Sequence, residues 1–550
     1  MTRAKPPSTD APASAGAERH PAIPRQPWAL YALAATLAGA LAWHIAGIDG
    51  AFLADDYGNL HAVSAASETG ALWSWVWSLF YSPLGNGSNA FRPLQYVSHA
   101  LEWSLFGANP VGWRAATIAL YFANAGIAGL VARRWLRDTP ADAAWGGMLA
   151  AAVLATYPFA GDIAYYPGCR ADALACLFSL LYLGTFRLDG RSTPRAHALR
   201  VAALAGALLS KESAMPMPLV ATMLCFAGSI AGGPVAGRWR CAATATLRQT
   251  WPSWALLAVY LAWRGQLFGS VWKVYLNSTL PRDASELATR LAPFRFIVAE
   301  NIGPHYVLWG VAAAGALAWA AATQSFRGMP AARKGVVAAV LLAAALYFVA
   351  PASSFDVSNS FGEGARHFYA FWMCVSVLLG MLFARGPRLP LLALVLILFV
   401  GQTQSLAQWR SAGMQMKRIV AAIEGFAGGI RDEQYALLLL PDHLRVALFA
   451  RNAQGAIVMR PIQRADYLSR TAIVLSQDID QWPQHLAGGK VSEFKGGRPF
   501  DPANFLGLYC WNPALGKIVP LTAAGVWRDG PAWRAEAARN FGPAGCLPPF

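Results

Sequence analysis

Charge is scarce in this 550-residue chain. Asp, Glu, Lys and Arg make up 13% of it, and the acids are the scarcer sign, 29 against 45 Lys and Arg. A chain that is 56% hydrophobic with a mean hydropathy of +0.35 cannot keep so much apolar surface out of water as one globule, so the composition is that of a membrane protein. Cysteine is also sparse: seven residues form no CxxC pair and no finger-type spacing, which argues against a cysteine zinc module. His61, His99 and His305 stand isolated, without an HExxH or similar pattern, and so argue against a histidine zinc site. A P-loop is missing too, which leaves no ATP-driven pump encoded in the chain. The net charge of +16 lies mostly in loops beside apolar runs. With no soluble basic domain and no reader motif, it speaks for topology and anionic lipid rather than a nucleic-acid partner.

Long apolar runs are abundant, and a helix needs roughly 20 such residues to cross about 30 Å of hydrocarbon. The expected spans fall near 28–48, 113–132, 143–160, 171–187, 197–210, 214–231, 251–268, 303–322, 335–351, 368–384 and 389–406. The fold class is therefore mainly α, a polytopic membrane protein of about eleven transmembrane helices, with a small C-terminal α/β soluble domain. Basic clusters occupy every second connection: Arg3 to Arg25, Arg133/Arg134/Arg137, Arg187/Arg191/Arg195/Arg200, Arg238/Arg240/Arg248, Arg327/Arg333/Lys334 and Arg385/Arg388. The positive-inside rule then puts the N-terminus in the cytoplasm.

Residues 1–26, rich in Pro, Ala and Ser, read as a disordered cytoplasmic tail, and the run after them as a retained anchor rather than a cleaved signal. Residues 27–407 form the membrane domain. An odd number of spans places 408–550 outside the cytoplasm, where "YALLLLPDHLRVALFARNAQGAIVMRP" suggests a strand, a turn and a short helix. Cys510 and Cys546 both fall in this domain and have the chance to pair in an oxidising compartment. The expected location is a bacterial inner (plasma) membrane.

Two adjacent acids, Asp55 and Asp56 in "IDGAFLADDYGNLHA", emerge on the outer face just beyond the first span. Other outer connections carry Arg92, then Asp162 and Arg170, then Lys211 and Glu212, then Glu363, Arg366, His367 and Tyr369. Ionisable groups beside hydrocarbon are costly unless they face a cavity or a partner, so acids and bases gathered at one membrane face suggest one polar cavity. Trp73, Trp75 and Trp77 fit an interfacial helix better than a sugar-stacking platform.

The order of "ADDY", "FRPL", "YPFAGDIAYYPGCRADALA", "ALLSKES" and "ARHFYAF" resembles the type C glycosyltransferases, multi-span enzymes that take sugar from a polyprenyl-phosphate carrier on the outer face. Within them the pattern is similar to the tetratricopeptide-bearing O-mannosyltransferases and their repeat-free bacterial relatives. Tyr157 and Pro158 stand where that family has His-Pro, Asp162 stands for its acid, and Cys169, Arg170, Ala171 and Asp172 occupy the Gly-Arg-Ala-Asp positions. The resemblance covers roughly residues 50 to 385, and the C-terminal domain shows no tetratricopeptide period.

It implies a lipid-linked sugar donor, contact with membrane lipids, and inverting transfer of a hexose or pentose to a hydroxyl or similar group of a protein, glycolipid or polysaccharide. Such transfer needs a base for the incoming hydroxyl and cations for the departing phosphate. Asp55 or Asp56 is the candidate base, and the resemblance favours Asp55, whose plainer role would be to cap a helix starting at Tyr57. Asp56 and Asp162 are the candidate ligands of a divalent cation, Mg or Mn. Arg92, Lys211 and Arg366 are candidate phosphate binders or snorkelling interfacial cations. Glu212 has Lys211 as an obvious partner, Asp162 has Arg170, and the Arg170–Asp172 pair offers a structural role at the entry of a span.

The alternative is a transporter or flippase of polyprenyl-linked glycans, but these charges lie at one face rather than at mid-depth. The topology predicts that protease added from outside intact cells reaches loops beyond residue 408. Cleavage seen only after access from the cytoplasmic side overturns both the orientation and the outer-face site.

Overall fold

The computed structural model describes residues 27–83, 90–136, 140–186, 193–230, 238–271, 282–292, 294–323, 331–354, 364–453, 455–475, 501–522 and 526–547, with 483 and 486. Of the expectations above, the 1–26 tail, Arg137, Arg187, Arg191, Arg327 and Glu363 lie outside the described residues.

The first half comprises α1 (Pro27–Ile45), α2 (Asp55–Glu68), α3 (Leu72–Ser78), α4 (Pro93–Phe106), α5 (Pro110–Trp135), α6 (Pro140–Ala155), α7 (Gly161–Ala164), α8 (Arg170–Gly184) and α9 (Pro194–Ser210). It continues through α10 (Met217–Ile230), α11 (Arg238–Phe268), α12 (Ala284–Leu291), α13 (Phe294–Ile302), α14 (Tyr306–Thr323), α15 (Ala331–Ser354), α16 (Tyr369–Leu382) and α17 (Arg388–Gly428). Local chemistry sets several starts. The Asn109 side chain accepts from the Val111 amide with Pro110 next in line, and Thr193 and Pro194 repeat the device at α9.

Each expected apolar stretch falls on a helix: α1, α5, α6, α8 to α11 and α14 to α17. By length and composition, five helices among the described residues qualify as membrane spans: Pro27–Ile45, Pro110–Trp135, Tyr306–Thr323, Ala365–Leu382 and Arg388–Gly428. Asp142–Ala155, Glu212–Ala227 and Lys334–Tyr347 are shorter apolar helices. The α8 and α9 helices have 15 and 17 residues, short of a full crossing length, and they pack against each other. The α3 helix leaves Trp73 and Trp77 exposed, as an interfacial helix does.

Helices come closest where side chains vanish. Gly147 of α6 faces Gly129 of α5, where an added Cβ would sit 2.9 Å from the Gly129 carbonyl oxygen. One residue earlier, a Cβ on Gly146 would lie 2.5 Å from the Gly380 carbonyl oxygen of α16. Lipid tails are as apolar as leucine, so helices in a bilayer gain from such backbone contact rather than from hydrophobic exclusion.

The α17 helix is 41 residues long and runs unbroken past residue 408, where the domain boundary was expected. Buried Trp409, Ala412, Met416, Ile419, Ile423 and Ala427 follow a helical period, so the apolar stripe continues after the membrane run has ended. The first strand begins only at Tyr435. Strands β1 (Tyr435–Leu440), β2 (His443–Leu444), β3 (Ala447–Leu448), β4 (Thr471–Leu475), β5 (Phe505–Asn512) and β6 (Lys517–Pro520) follow, and the expected short helix is one 3₁₀ turn, Ala456–Val458. The main sheet has the order β4-β1-β5-β6, with β1 parallel to both neighbours and β5–β6 a hairpin.

Alternation along β1 divides its residues. Leu438 and Leu440 join the core shared with the helical domain, whereas Leu437 and Leu439 pack with Trp533 of the C-terminal helix Gly530–Phe541. Cys510 and Cys546 are joined in a disulfide on that second side.

Gly146→Leu should force α6 from α16 and cost about 2–3 kcal/mol, the upper range for overpacking, because the obstacle is backbone. A detergent-solubilised variant that melts with the wild type would disprove the close packing.

Candidate functional site

The chain leaves α1 and turns into α2 through Ala54, a buried alanine at φ 43° and ψ −122°. Non-glycine residues avoid positive φ, and holding one there costs on the order of 1–3 kcal/mol. The turn persists because it is tied on several sides. Its Ala54 amide donates to the Phe449 carbonyl at 2.9 Å, a contact from the C-terminal domain.

Asp56 is 2% exposed and accepts from two backbone amides, Leu53 at 3.1 Å and Gly168 at 2.6 Å. The loop ahead of α8 is thus fastened to the loop ahead of α2. From α4, the Gln95 amide donates to the Gly168 carbonyl at 3.3 Å, and a His99 ring nitrogen lies 3.3 Å from the Pro167 carbonyl. Arg114, fully buried in the first turns of α5, donates to the carbonyls of Ala51 and Tyr165 and so spans the same two loops. Burial pushes the Asp56 carboxyl up to about 8, against the Leu53 and Gly168 amides and the Arg114 guanidinium, with the Asp55 charge adding to the push. Enclosed and hydrogen-bonded on both oxygens, Asp56 acts as a joint between loops.

Asp55 is placed differently. It is half-buried at the first position of α2; the cap residue is Ala54, and no side chain caps the helix. Its Oδ2 accepts from the Tyr166 hydroxyl at 2.6 Å, and its Oδ1 accepts from the Asn452 carboxamide, also at 2.6 Å. Each carboxylate oxygen has two lone pairs, so two such bonds leave acceptor capacity for a substrate proton.

Cations are linked to this carboxylate through Tyr166 and Tyr96. Arg366 lies with its guanidinium carbon 6.0 Å from the Tyr166 ring centre. Its backbone amide donates to Asp162 Oδ2 at 2.9 Å and its side chain is 3.8 Å from Asp162 Oδ1, the loosest ion pair in the group. Lys211 Nζ donates to Asp172 at 2.5 Å. Arg92 grips Glu212 with two nitrogens, at 2.6 and 3.3 Å. The charges of Lys211, Arg366 and Arg92 all bear on His367, and those of Asp162, Arg366, Asp172 and Lys211 on the Cys169 thiol. Tyr96 senses both Arg92 and Asp55.

Asp55, Arg92, Asp162, Lys211, Glu212, Arg366 and His367 therefore form one linked polar zone. Its members come from the end of α9, the segment between α6 and α8, and the starts of α2, α4, α10 and α16, which alternation of antiparallel helices brings to the same end of the bundle.

Several pairings differ from the sequence expectation. Glu212 takes Arg92 rather than Lys211, and Lys211 reaches Asp172 on the neighbouring helix. Arg170 pairs with neither Asp162 nor Asp172; it is buried against Glu102, Ser98, Thr117 and the Trp113 carbonyl, joining α8 to α4 and α5. Tyr369 is enclosed among helices, stacked on Tyr121 and 3.4 Å from the Asn124 amide. Both residues hold helices together. Tyr166, Arg114 and Asn452 were not singled out from the sequence, although an arginine at the head of an apolar run and an asparagine in a turn-like "RNAQG" were visible signals.

Among the described residues no group of three or more His, Cys, Asp and Glu converges as a metal site. Asp56 accepts from the Leu53 and Gly168 amides, and Asp162 from the Arg366 amide and the Cys169 thiol, with the Arg366 side chain beside it.

No family model matches this chain, and no curated protein matches it. In overall layout it is similar to the crystal structure of ArnT from Cupriavidus metallidurans bound to undecaprenyl phosphate, with 12% identity over 82% of this chain and 90% of that one, and a TM-score of 0.45. The apo structure of the same protein gives 14% identity over 75% and 83%, with a TM-score of 0.43.

The raised Asp56 makes a pH prediction. Between its ordinary range and about 8 the folded state holds a proton that the unfolded state has lost, so stability falls as pH rises through that window. Relative to Asp56→Asn, the wild type should lose roughly 1 kcal/mol per pH unit from pH 6 to 8. Thermal melts of both proteins that run parallel across this range would refute a buried, protonated Asp56.

Proposed function

We propose that the chain is a membrane glycosyltransferase that moves a sugar from a polyprenyl-phosphate donor to a hydroxyl or similar group of its acceptor, at the membrane face where the polar zone lies. The single observation that carries this reading is the juxtaposition of a half-buried, doubly anchored Asp55 with Arg366, Lys211 and Arg92. A carboxylate next to several fixed cations, at the ends of apolar helices, suits a substrate with a lipid tail, a phosphate and a sugar.

In the reaction, Asp55 takes the proton from the acceptor hydroxyl as its oxygen attacks the anomeric carbon. The bond from that carbon to the phosphate oxygen breaks, and the negative charge gathering on the polyprenyl phosphate is met by the guanidinium and ammonium groups. Arg366 is linked to Asp55 through Tyr166, whose ring it faces and whose hydroxyl the carboxylate accepts. A single displacement of this kind inverts the anomeric centre. The position of the ionisable groups at one end of the bundle favours chemistry over passage through the bilayer, where binding groups gather at mid-depth. By this reading the C-terminal domain lies outside the cytoplasm, at a bacterial inner membrane.

The test uses the full chain in membranes, with polyprenyl-phosphate hexoses and pentoses labelled in the lipid, and reads release of free polyprenyl phosphate. Wild-type membranes should release it from at least one donor, and Asp55→Asn should lower the rate roughly 10²-fold or more while donor binding persists. Arg366→Ala or Arg92→Ala should weaken binding of polyprenyl phosphate more than of neutral polyprenol. Near-normal release by Asp55→Asn removes the base assignment, and equal losses for the two lipids reduce the arginines to packing.

A further inference from the structure

We infer that Asn452, carried by the C-terminal domain, is a positioning residue for Asp55, so that the site is complete only when that domain is seated on the membrane helices. The inference rests on the reading of Asp55 as the base. The contact joins residues 397 positions apart, Asn452 Nδ2 to Asp55 Oδ1 at 2.6 Å. It is one half of a two-point grip, the other being Tyr166 on Oδ2. A carboxylate held through one oxygen still swings about its last torsion; held through both, its plane is fixed.

Asn452 is itself held. Its φ of 57° is left-handed, a conformation that asparagine tolerates better than most residues. The loop that carries it leaves the carboxyl end of β1 and folds back on Asp442, whose carboxylate accepts from Arg451 and pairs with His443 at 2.8 Å. Burial would raise the Asp442 carboxyl, but the His443 and Arg451 hydrogen bonds and charges outweigh it and hold it at about 2. The Asp442 carbonyl also accepts from the Phe449 amide at 2.8 Å, and Phe449 in turn receives the Ala54 amide. One loop therefore secures both the strained turn before Asp55 and the carboxylate itself. It is a rigid support, as a site of this kind requires.

Two substitutions separate positioning from folding. Asn452→Gly keeps the left-handed backbone and removes the donor. Asn452→Asp keeps the shape and replaces the donor with a like-charged acceptor. With the labelled donor that the wild type turns over, both variants should lower kcat tenfold or more, with donor KM within twofold and unchanged melting temperature, and Asn452→Asp should show the greater loss of the two. Carbodiimide labelling of Asp55, read by mass spectrometry on the full chain, should rise severalfold in Asn452→Gly.

Unchanged kcat in both variants overturns the inference, as does a loss that tracks lowered melting with Asn452→Asp nearly normal. If the wild type releases polyprenyl phosphate from no donor, the proposed function fails, and the labelling alone then decides whether Asn452 holds Asp55. Unchanged labelling rejects it.

Discussion

The bond between the Asp56 carboxylate and the Gly168 amide is the point on which the candidate site hangs. It joins two connections that belong to different helix pairs. Arg114 crosses the same gap with bonds to Ala51 and Tyr165, and α4 closes it from the side through Gln95 and His99. Unpaired polar groups in such a buried place are costly, and paired ones therefore specify one arrangement. With Asp56 inside the joint, its neighbour Asp55 occupies the opening next to it. Two adjacent acids in the chain thus have opposite surroundings, one enclosed and the other reaching a polar zone.

The cations of that zone show how charge is kept beside hydrocarbon. Each of Arg92, Lys211 and Arg366 has a carboxylate of another segment within ion-pair distance. Removing two charges from water is expensive, and mutual attraction offsets the cost only when geometry is good. These pairs also fix where positive charge stands in the polar zone.

A single helix couples the apolar helices to the C-terminal strand region. The 41 residues of α17 span about 60 Å at 1.5 Å per residue. The helix crosses the apolar region and then keeps an apolar stripe beneath the sheet, so the C-terminal domain rests on a strut rather than on a linker. Trp409 on this strut lies 5.7 Å, ring to ring, from Tyr166, the residue that holds Asp55. Phe449 and Asn452 approach the same place from above. The helix runs past the boundary expected at residue 408 because an amphipathic period continues it to Gly428 after the most apolar stretch has ended.

What the sequence determined by itself was every helix that carries an apolar run, because lipid admits only backbone that satisfies itself within the segment. It also singled out Asp55, Arg92, Asp162, Lys211, Glu212, Arg366 and His367, which the fold draws into one polar zone, since charges are excluded from apolar runs and alternate connections share a face. Tertiary structure decided the pairings. Glu212 chose Arg92 over its neighbour Lys211, Arg170 turned away from Asp162 to Glu102, and Asp56 went to a distant amide. These choices depend on distances of a few ångströms between segments up to 120 positions apart. Nothing in the local pattern encodes such distances, and Asn452 shows the limit most clearly. Its turn was legible as a turn, but its bond to Asp55 exists only because a sheet, a long helix and a partly buried ion pair bring distant parts of the chain together.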